Sequence, residues 1–583
     1  MAVGLVAVVY YELSQVRSDV ASAHDELAGS FDNPAILRTP EGRATSRATV
    51  DRAIENLESA RRRAAGSMPL SLLRLVPTGS AQRLGLIALI DDATTGAGAL
   101  RDLLANVDSL ADRTQFADGR LPSEGLVELS GRVRATADSI RGAARSSSGL
   151  WQPLAEARDR FDKVALRSSD RLVRGADAID AATSFMGGAG DRRYLVGLMN
   201  NAEMRDQGMV LSYVVLKIAG GQMSFERSGS VVDLRLDEPA ATPIPPGSAD
   251  VFGPLKPTQL WQSVNATADF AWSGRAMSDM YRQKTGQSVD GVIGVDVPGV
   301  AALLRSVGPV AIDGIAEPID AENVGRIVLH DLYEGLAPGS NQSGRRELLA
   351  EVTRAVIDKV TRGSHDAVSL GRELGDAASG GHLRLWSSFS EEERVFEQSG
   401  LGGGPAVIEA DRTFHVAVEN RTATKLDYYV RPSVRQEIEL DDDGAAVVRT
   451  TVVVNNQAPE NAPPSYQVGP DEYTEKPGDY RAWILMWGPA GARQDAAIPE
   501  SALMLSHHVV PVGAGKSVEM SFETVIPGAV RNGRLQLRLV PQPRLDPMPL
   551  EVQLKAPGWD IDGPTTRRGL WDRVWTLDWG VEQ

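Results

Sequence analysis

The pattern of apolar and polar positions divides the chain into three stretches with different periodicities. Up to about residue 186, apolar residues recur every three or four positions, which predicts long helices. One series has the heptad spacing of a seam that faces a partner helix; it comprises Leu86, Ile90, Ala93, Ala97, Leu100, Leu104 and Val107. Turn-forming residues separate the series, so residues 14–186 are expected to form an antiparallel all-α bundle. Such a bundle serves either as a spacer or as a docking or sensing module.

The middle stretch, residues 187–398, mixes short apolar runs with helical periodicity. Strands are predicted at 193–200, 209–218, 222–227, 291–296 and 309–313. Helices are predicted at 298–307, 320–334, 345–361 and 366–375. Strands that alternate with helices indicate an α/β domain.

The last stretch begins after residues 399–406, whose GLGGGP sequence is typical of a linker. In residues 407–583, apolar and polar residues alternate with period two, for example from Val518 to Ile526. This alternation predicts strands with one buried face. Many short strands separated by turns indicate a β-sandwich of immunoglobulin type.

The first thirteen residues are almost all apolar, but they are fewer than the ~20 that a helix needs to span a bilayer. Their composition, with Tyr10 and Tyr11 at the end, is typical of the outer half of a transmembrane helix. Two interpretations stay open: a truncated membrane anchor, or a buried N-terminal helix. The anchor predicts a single-pass protein of the cell membrane, with the bulk of the chain outside the cell.

Composition narrows the chemistry further. The 583 residues carry a net charge of −16, which disfavours nucleic acid as a partner. The chain has no cysteine, so disulfides, thiolate nucleophiles and Cys-based zinc sites are excluded. No HExxH or GxSxG motif is present, so these two hydrolase signatures give no catalytic candidate.

The strongest candidate site is the polar loop between the first two predicted strands of the α/β domain. It carries Asn200, Asn201, Glu203 and Arg205 between two apolar runs. An arginine offers a planar, permanently charged fork for phosphate or carboxylate. Glu203 either contacts a ligand or pairs with Arg205. We therefore expect Asn201, Glu203 and Arg205 to bind a substrate.

Further charged residues lie at predicted strand and helix ends. Asp233, Asp290 and Asp296 adjoin strands, where carboxylates can hold a divalent cation. Asp296 also precedes Pro298 at a helix start, which fits an N-cap. Arg345 and Arg346 open a predicted helix, where positive charge opposes the macrodipole. A bound anion would relieve this conflict, and simple solvent exposure is the alternative.

These residues carry a resemblance to a bacterial family of membrane-anchored proteins, known as the domain of unknown function with the number four thousand and twelve. Its pattern N-N-x-E-x-R-x-x-G-G-F is matched here by Asn200, Asn201, Glu203, Arg205 and Gly208, with Met209 at the second Gly. The segments VDGVIGVDVPGVAALLRSVGPV, GRRELLAEVTRAV and LDYYVRPSVRQEIEL match as well. The family implies a membrane-anchored surface protein and no settled activity.

A more distant likeness is to LytR-CpsA-Psr enzymes, which transfer lipid-linked glycopolymers onto peptidoglycan. It implies an α/β domain of that type. Arg205 and Asp233 would be catalytic, Arg345 and Arg346 would bind the pyrophosphate with Arg205, and Asp233 would hold Mg²⁺. Asp290 is a further metal candidate. The family's Arg before the strand-end Asp is Val232 here, which departs from its pattern.

Together these features lead to one expectation and one alternative. The expectation is a cell-envelope protein that binds or processes a cell-wall or exopolysaccharide glycopolymer through a polyprenyl-pyrophosphate carrier. The alternative is a non-catalytic surface scaffold or adhesion protein on a helical stalk.

Overall fold

The computed structural model describes all residues except 1, 32–39, 112–114, 118, 121–122, 246, 338–342 and 405–408. Two units are present: residues 1–115 with 122–183, and residues 116–121 with 184–583. The helical, α/β and β-rich regions predicted from the sequence follow one another in that order. Residues 405 and 406 of the predicted linker lie outside the described residues.

The first unit is helical, as its periodicity predicts. Its helices are α1 (Ala2–Phe31), α2 (Pro40–Gly66), α3 (Met68–Ser71), α4 (Gly79–Ala111), α5 (Ser123–Gly142) and α6 (Gln152–Thr183). The predicted heptad seam lies in α4, where Ile90, Ala97 and Leu104 share an apolar cluster with α1 and α2. A buried ion pair of 2.7 Å joins Arg158 of α6 to Asp92 of α4. Among the helices of the described residues, none is long and apolar enough to cross a bilayer.

The α/β region of the second unit contains a five-stranded mixed sheet. The strands from this part of the chain are β1 (Gln115–Ala117), β2 (Arg192–Asn200), β3 (Met209–Ala219), β4 (Gln222–Ser230), β5 (Gly291–Asp296), β6 (Ser364–Asp366) and β7 (Leu383–Ser387). The order in the sheet is β4-β3-β2-β5-β7. β2 and β5 are parallel, whereas the β2-β3, β3-β4 and β5-β7 pairs are antiparallel.

Helices cover both faces of this sheet. The helices of the α/β region are α7 (Ala249–Phe252), α8 (Phe270–Thr285), α9 (Val297–Val307), α10 (Val324–Leu329), α11 (Ser343–Arg362), α12 (Ala367–Ser379) and α13 (Ser390–Ser399). Alternate residues of β2 point to opposite faces. Leu195 packs in one cluster with Met277 of α8. Val196 packs in another cluster with Ile357 of α11.

The strand predicted at 309–313 differs from the structure, and one observed strand was not predicted. The strand predicted at 309–313 is reduced to one isolated bridge between Val310 and Ile319. The fifth strand is instead β7, which ends with Leu-Trp-Ser and lies antiparallel beside β5. A five-residue apolar run cannot be assigned to a sheet from local pattern alone, because pairing depends on distant partners.

The β-rich region consists of two sheets. Their strands are β8 (Thr413–Asn420), β9 (Val430–Leu440), β10 (Ala446–Asn456), β11 (Tyr480–Gly488), β12 (Arg493–Gln494), β13 (Ile498–Glu500), β14 (Leu503–Val512), β15 (Ser517–Ile526), β16 (Val530–Arg531), β17 (Arg534–Val540), β18 (Met548–Lys555), β19 (Asp560–Asp562), β20 (Thr566–Trp571) and β21 (Trp575–Glu582). One sheet has the order β12-β15-β10-β9-β18-β20, and the other β13-β14-β11-β8-β17-β21-β19. Both sheets contribute to one apolar core.

The outer face of the larger β sheet packs directly on the α/β region. Phe252, Ala266 and Ala268 share an apolar cluster with Trp483 and Trp487 of β11. Every residue of β8 is buried, because one of its faces meets the β core and the other meets the α/β region. Residues 184–583, together with 116–121, form one compact unit.

Candidate functional site

The polar loop after β2, residues 200–208, is buried along its whole length. The Asn200 side chain accepts a hydrogen bond from the Ala202 backbone N–H (2.9 Å), which starts a tight turn. Gly208 closes the turn with a φ of +101°, and a Cβ there would lie 2.9 Å from the Asn200 carbonyl oxygen. Only glycine fits this position, so the Gly of the sequence pattern has a steric reason.

Glu203 pairs with a lysine from the β region. The Lys425 Nζ lies 2.5 Å from Glu203 Oε2, and both side chains are buried. Burial lowers the pKa of Lys425, but the opposing effects of Glu203, Tyr333 and Tyr466 are larger, so its pKa lies above the ordinary value. The charge of Lys425 is therefore balanced inside the protein.

Arg345 belongs to the same cluster through two aromatic rings. Its guanidinium lies 4.4 Å from the ring centre of Tyr333, and Lys425 Nζ lies 4.6 Å from that ring. Tyr333 stacks on Tyr466 at 5.7 Å between ring centres. The fold thus connects Glu203 and Arg345, which are far apart in sequence, through Lys425 and Tyr333.

The Arg205 side chain donates hydrogen bonds to backbone oxygens and does not line an open cleft. Its Nη1 donates to the carbonyl oxygens of Asn420 (2.7 Å) and Met204 (3.0 Å). The Gln542 side chain donates to the Arg205 carbonyl oxygen (3.1 Å). Arg205 is only 8% exposed; its guanidinium contacts β8, and its backbone carbonyl oxygen contacts the chain after β17.

Asp206 extends this contact. Its carboxylate lies 2.7 Å from His415 Nε2, while His415 Nδ1 lies 2.9 Å from the Val540 carbonyl oxygen. The guanidinium of Arg384 approaches the same carboxylate at 3.6 Å. Asp206 therefore joins the loop to β8 and to β7 through buried polar groups.

Asn201 and Asp296 organise the start of α9. Asn201 donates to Asp296 Oδ2 (3.0 Å) and accepts from the Val297 N–H (3.1 Å). Asp296 Oδ1 accepts from the Gly299 N–H, which confirms the N-cap interpretation of this residue. His382 Nδ1 lies 2.8 Å from Asp296 Oδ2. Asn201 thus contacts the cap of a helix.

Replacing Asn201 with Ala is expected to lower the free energy of unfolding by about 2 kcal/mol, because the Val297 N–H is left without its buried partner. Urea unfolding followed by tryptophan fluorescence measures the loss. Asn455→Ala is the control, since Asn455 is partly exposed, and its change should stay within about 0.5 kcal/mol. Equal losses in the two variants would contradict this role of Asn201.

The two predicted metal ligands lie at opposite ends of the sheet. β4 and β5 run in the same direction as β2. Asp233 follows β4 in an exposed turn, whereas Asp290 precedes β5 and accepts a hydrogen bond from the Arg193 N–H (2.7 Å). One ion cannot bind both carboxylates, so Asp233 and Asp290 do not share a metal site. Within the described residues, no group of three or more His, Asp or Glu side chains is suited to a metal ion.

The remaining predicted residues are placed separately. Arg346 is exposed at the start of α11, next to the half-buried Arg345. The catalytic pair predicted from Arg205 and Asp233 combines a buried guanidinium with an exposed carboxylate. Asn201, Glu203 and Arg205 lie in one loop. Asp296 contacts Asn201 directly, and Arg345 is connected to Glu203 through Tyr333 and Lys425.

Sequence reasoning missed the partners from the β region. His415 and Glu419 are interleaved with the core residues Phe414, Val416 and Val418. In a strand, this spacing puts both polar residues on the face away from the core. That pattern indicates a second buried face, and it could have identified β8 as a contact strand.

Several carboxylates at this interface have raised pKa values because they are buried. Burial raises the pKa of Glu419 well above its ordinary value, and the nearby Asp206 raises it further. Among the described residues, neither carboxyl oxygen of Glu419 has a hydrogen-bond partner. Burial raises the pKa of Glu500 to about 7. Its oxygens contact Thr267 (2.6 Å) and Trp487 (2.9 Å). These groups favour their neutral forms.

The comparison with protein families supports part of the resemblance. Residues 189–333 match the family described as "Protein of unknown function (DUF4012)". This match includes the polar loop and the β2-β5 pair. The chain is therefore similar to this family over that segment.

Known proteins and structures add little to this match. No curated protein matches the chain. The crystal structure of the transcriptional regulator yvhJ from Bacillus subtilis is similar at 11% identity, over 36% of this chain and 97% of that one, with a TM-score of 0.19. A TM-score this low does not establish a common fold.

Proposed function

We propose that the protein is a non-catalytic scaffold of the cell envelope that binds an envelope glycopolymer. The main support for this proposal is that charged groups of the polar loop are bound by other groups of the same protein. Glu203 pairs with Lys425, and Arg205 holds the Asn420 carbonyl oxygen. A pyrophosphate could reach Arg205 only if the α/β and β regions separated.

The loop has a structural role in this proposal. Buried ion pairs and hydrogen bonds are costly to break singly, so they keep two packed regions in one arrangement. The α/β and β regions then form a rigid body, and binding surfaces on it keep a constant geometry. A polymer-binding scaffold benefits from such rigidity because less entropy is lost on binding.

The envelope location rests on the resemblance to a membrane-anchored family, supported for residues 189–333. Attachment through residues 1–13, an α/β domain of LytR-CpsA-Psr type and a sandwich of immunoglobulin type belong to the same proposal. The transferase expectation, with Mg²⁺ at Asp233 or Asp290, is the competing prediction that the experiment below tests.

The test uses the purified chain in two assays. In the first, the protein is sedimented with insoluble cell-wall sacculi that carry their glycopolymers, and with sacculi stripped of them. We expect it to sediment only with the first. In the second, a polyprenyl-pyrophosphate-linked oligosaccharide, Mg²⁺ and stripped sacculi are supplied, and we expect no transfer above the protein-free blank.

Each result has a defined meaning. Equal sedimentation with both kinds of sacculi, or with neither, would refute glycopolymer binding. Transfer that disappears in Arg205→Lys, while the variant keeps the unfolding free energy of the wild type, would refute the non-catalytic role. Arg346→Lys is the matched control, because Arg346 is exposed on the same unit.

A further inference from the structure

A groove lies between the edge strand β4 and helix α11, away from the polar loop. It has a volume of about 620 Å³. Residues 222–225 of β4 form one wall, and Arg354, Asp358, Thr361 and Arg362 of α11 form the other. Its volume falls in the range of about 300–1,000 Å³ that is usual for sites of small organic ligands.

The side chains of the groove combine three kinds of contact. Arg354 and Arg362 offer positive charge, for which carboxylates and phosphates are the natural partners. Asp358 can accept hydrogen bonds from hydroxyl groups. Met223 and the half-buried Phe225 offer apolar surface. An acidic sugar presents all three complementary features: a negative group, hydroxyls and an apolar ring face.

The positive charges of this groove are available. Within the part of the chain that the structure describes, the Arg354 guanidinium has no hydrogen bond or ion pair, and its residue is exposed. Arg362 approaches Asp358 at 3.4 Å, but its side chain is 78% exposed. An ion pair this exposed stabilises little, so a ligand can replace it.

The spacing of the arginines indicates the kind of ligand. Arg354 and Arg362 are eight residues apart on α11, which corresponds to about 12 Å along the helix axis. An extended anion whose charges lie about this far apart can contact both arginines. Nucleic acid carries a charge about every 3.4 Å of each strand, so it would place phosphates against Asp358. A glycan with one charge in every second sugar fits this spacing better.

We propose that this groove binds a segment of an acidic glycan several sugars long. The inference deepens the proposed function and rests on it, because it names the site and the charge of the polymer. The groove is independent of Arg205 and the other loop residues.

The test measures binding of a fluorescent hyaluronan octasaccharide, which has one carboxylate per disaccharide, by anisotropy at low salt. The variant Arg354→Glu/Arg362→Glu should bind at least about tenfold more weakly, since two charge-assisted contacts become repulsive. Arg74→Glu/Arg493→Glu is the control: it changes the net charge equally at two exposed arginines outside the groove, and its affinity should stay within about twofold. Arg354→Lys/Arg362→Lys should bind with intermediate affinity.

Competition identifies the ligand class. Free glucuronate at the same carboxylate concentration should not displace the octasaccharide, and an uncharged chitin octasaccharide should compete weakly. Unchanged affinity in the double Glu variant, with its unfolding free energy intact, would overturn the inference. Equal or tighter binding of an eight-nucleotide oligothymidine with the same arginine dependence would also overturn it.

The sedimentation and octasaccharide assays together distinguish an error in the groove assignment from an error in the proposed function. If the wild type sediments with glycopolymer-bearing sacculi but does not bind the octasaccharide, the groove inference fails and the scaffold proposal stands. If the octasaccharide binds in the groove but sacculi do not retain the protein, the envelope proposal fails.

Discussion

Lys425→Met is expected to lower the free energy of unfolding of residues 184–583 by about 3–5 kcal/mol, because it leaves the carboxylate of Glu203 buried without its partner. The variant also loses the contact of the ammonium with the Tyr333 ring. Urea unfolding followed by tryptophan fluorescence reports on this unit, since Trp151 is the only tryptophan of the helical unit.

Two further variants separate the ion pair from general damage. In Lys425→Met/Glu203→Met both charges are absent, so more than half of the loss should be recovered. In Lys555→Met, the lost partner lies 3.8 Å away and the lysine side chain is 55% exposed, so the change should stay within about 0.5 kcal/mol. A loss below about 1 kcal/mol in Lys425→Met would show that the loop does not hold the two regions together.

Glu500→Gln is expected to stabilise the second unit at alkaline pH and to have little effect near pH 4. The pKa of Glu500 is near 4.5 in the unfolded chain and about 7 in the folded protein. Between these values the folded state keeps a proton that the unfolded state has lost, so stability falls as the pH rises from 4.5 through 7. Glutamine keeps the neutral form at every pH.

The expected difference between Glu500→Gln and the wild type grows to about 3 kcal/mol at pH 8. Unfolding curves at several pH values between 4 and 8 measure it. Glu460→Gln is the control, because the Glu460 side chain is 62% exposed, and its difference should not change with pH. The pKa of Glu419 is raised as well, so the stability of the Glu500→Gln variant still falls in part as the pH rises. A constant difference for Glu500→Gln would contradict a buried neutral carboxyl group.

The two predictions concern one interface, which joins the loop and the α/β region to the outer face of the larger β sheet. Lys425 and Glu500 come from different parts of the β region, yet both contact the α/β region. If both predictions hold, the interface contributes strongly to stability. Its separation would then be too costly to serve as an ordinary step of substrate binding.

Periodicity was sufficient to predict several of the regular elements. The heptad spacing in α4 and the alternation in β15 and β17 each depend on neighbours within a few residues, and the structure confirms them. The N-cap at Asp296 was also predictable, because a cap is a local contact with a residue three positions away. The strand predicted at 309–313 failed because strand pairing is not local.

The chemistry of the polar loop was less predictable. The sequence indicated that Asn201, Glu203 and Arg205 are unusual, and the structure places all three among buried contacts. The sequence could not indicate that the partners are Lys425 and Asn420, which lie more than two hundred residues away. A charged residue between apolar strands looks the same in sequence whether it meets a ligand or another part of the chain.

The sequence by itself determined the order of a helical, an α/β and a β-rich region, the absence of cysteine chemistry, and the loop that distinguishes the α/β segment. Only the tertiary structure decided that this loop lies inside an interface, that Asp233 and Asp290 are at opposite ends of a sheet, and that α11 and β4 form a groove. The physical reason is that periodicity and capping act over a few residues. Burial and pairing of charges depend on which distant surfaces pack together.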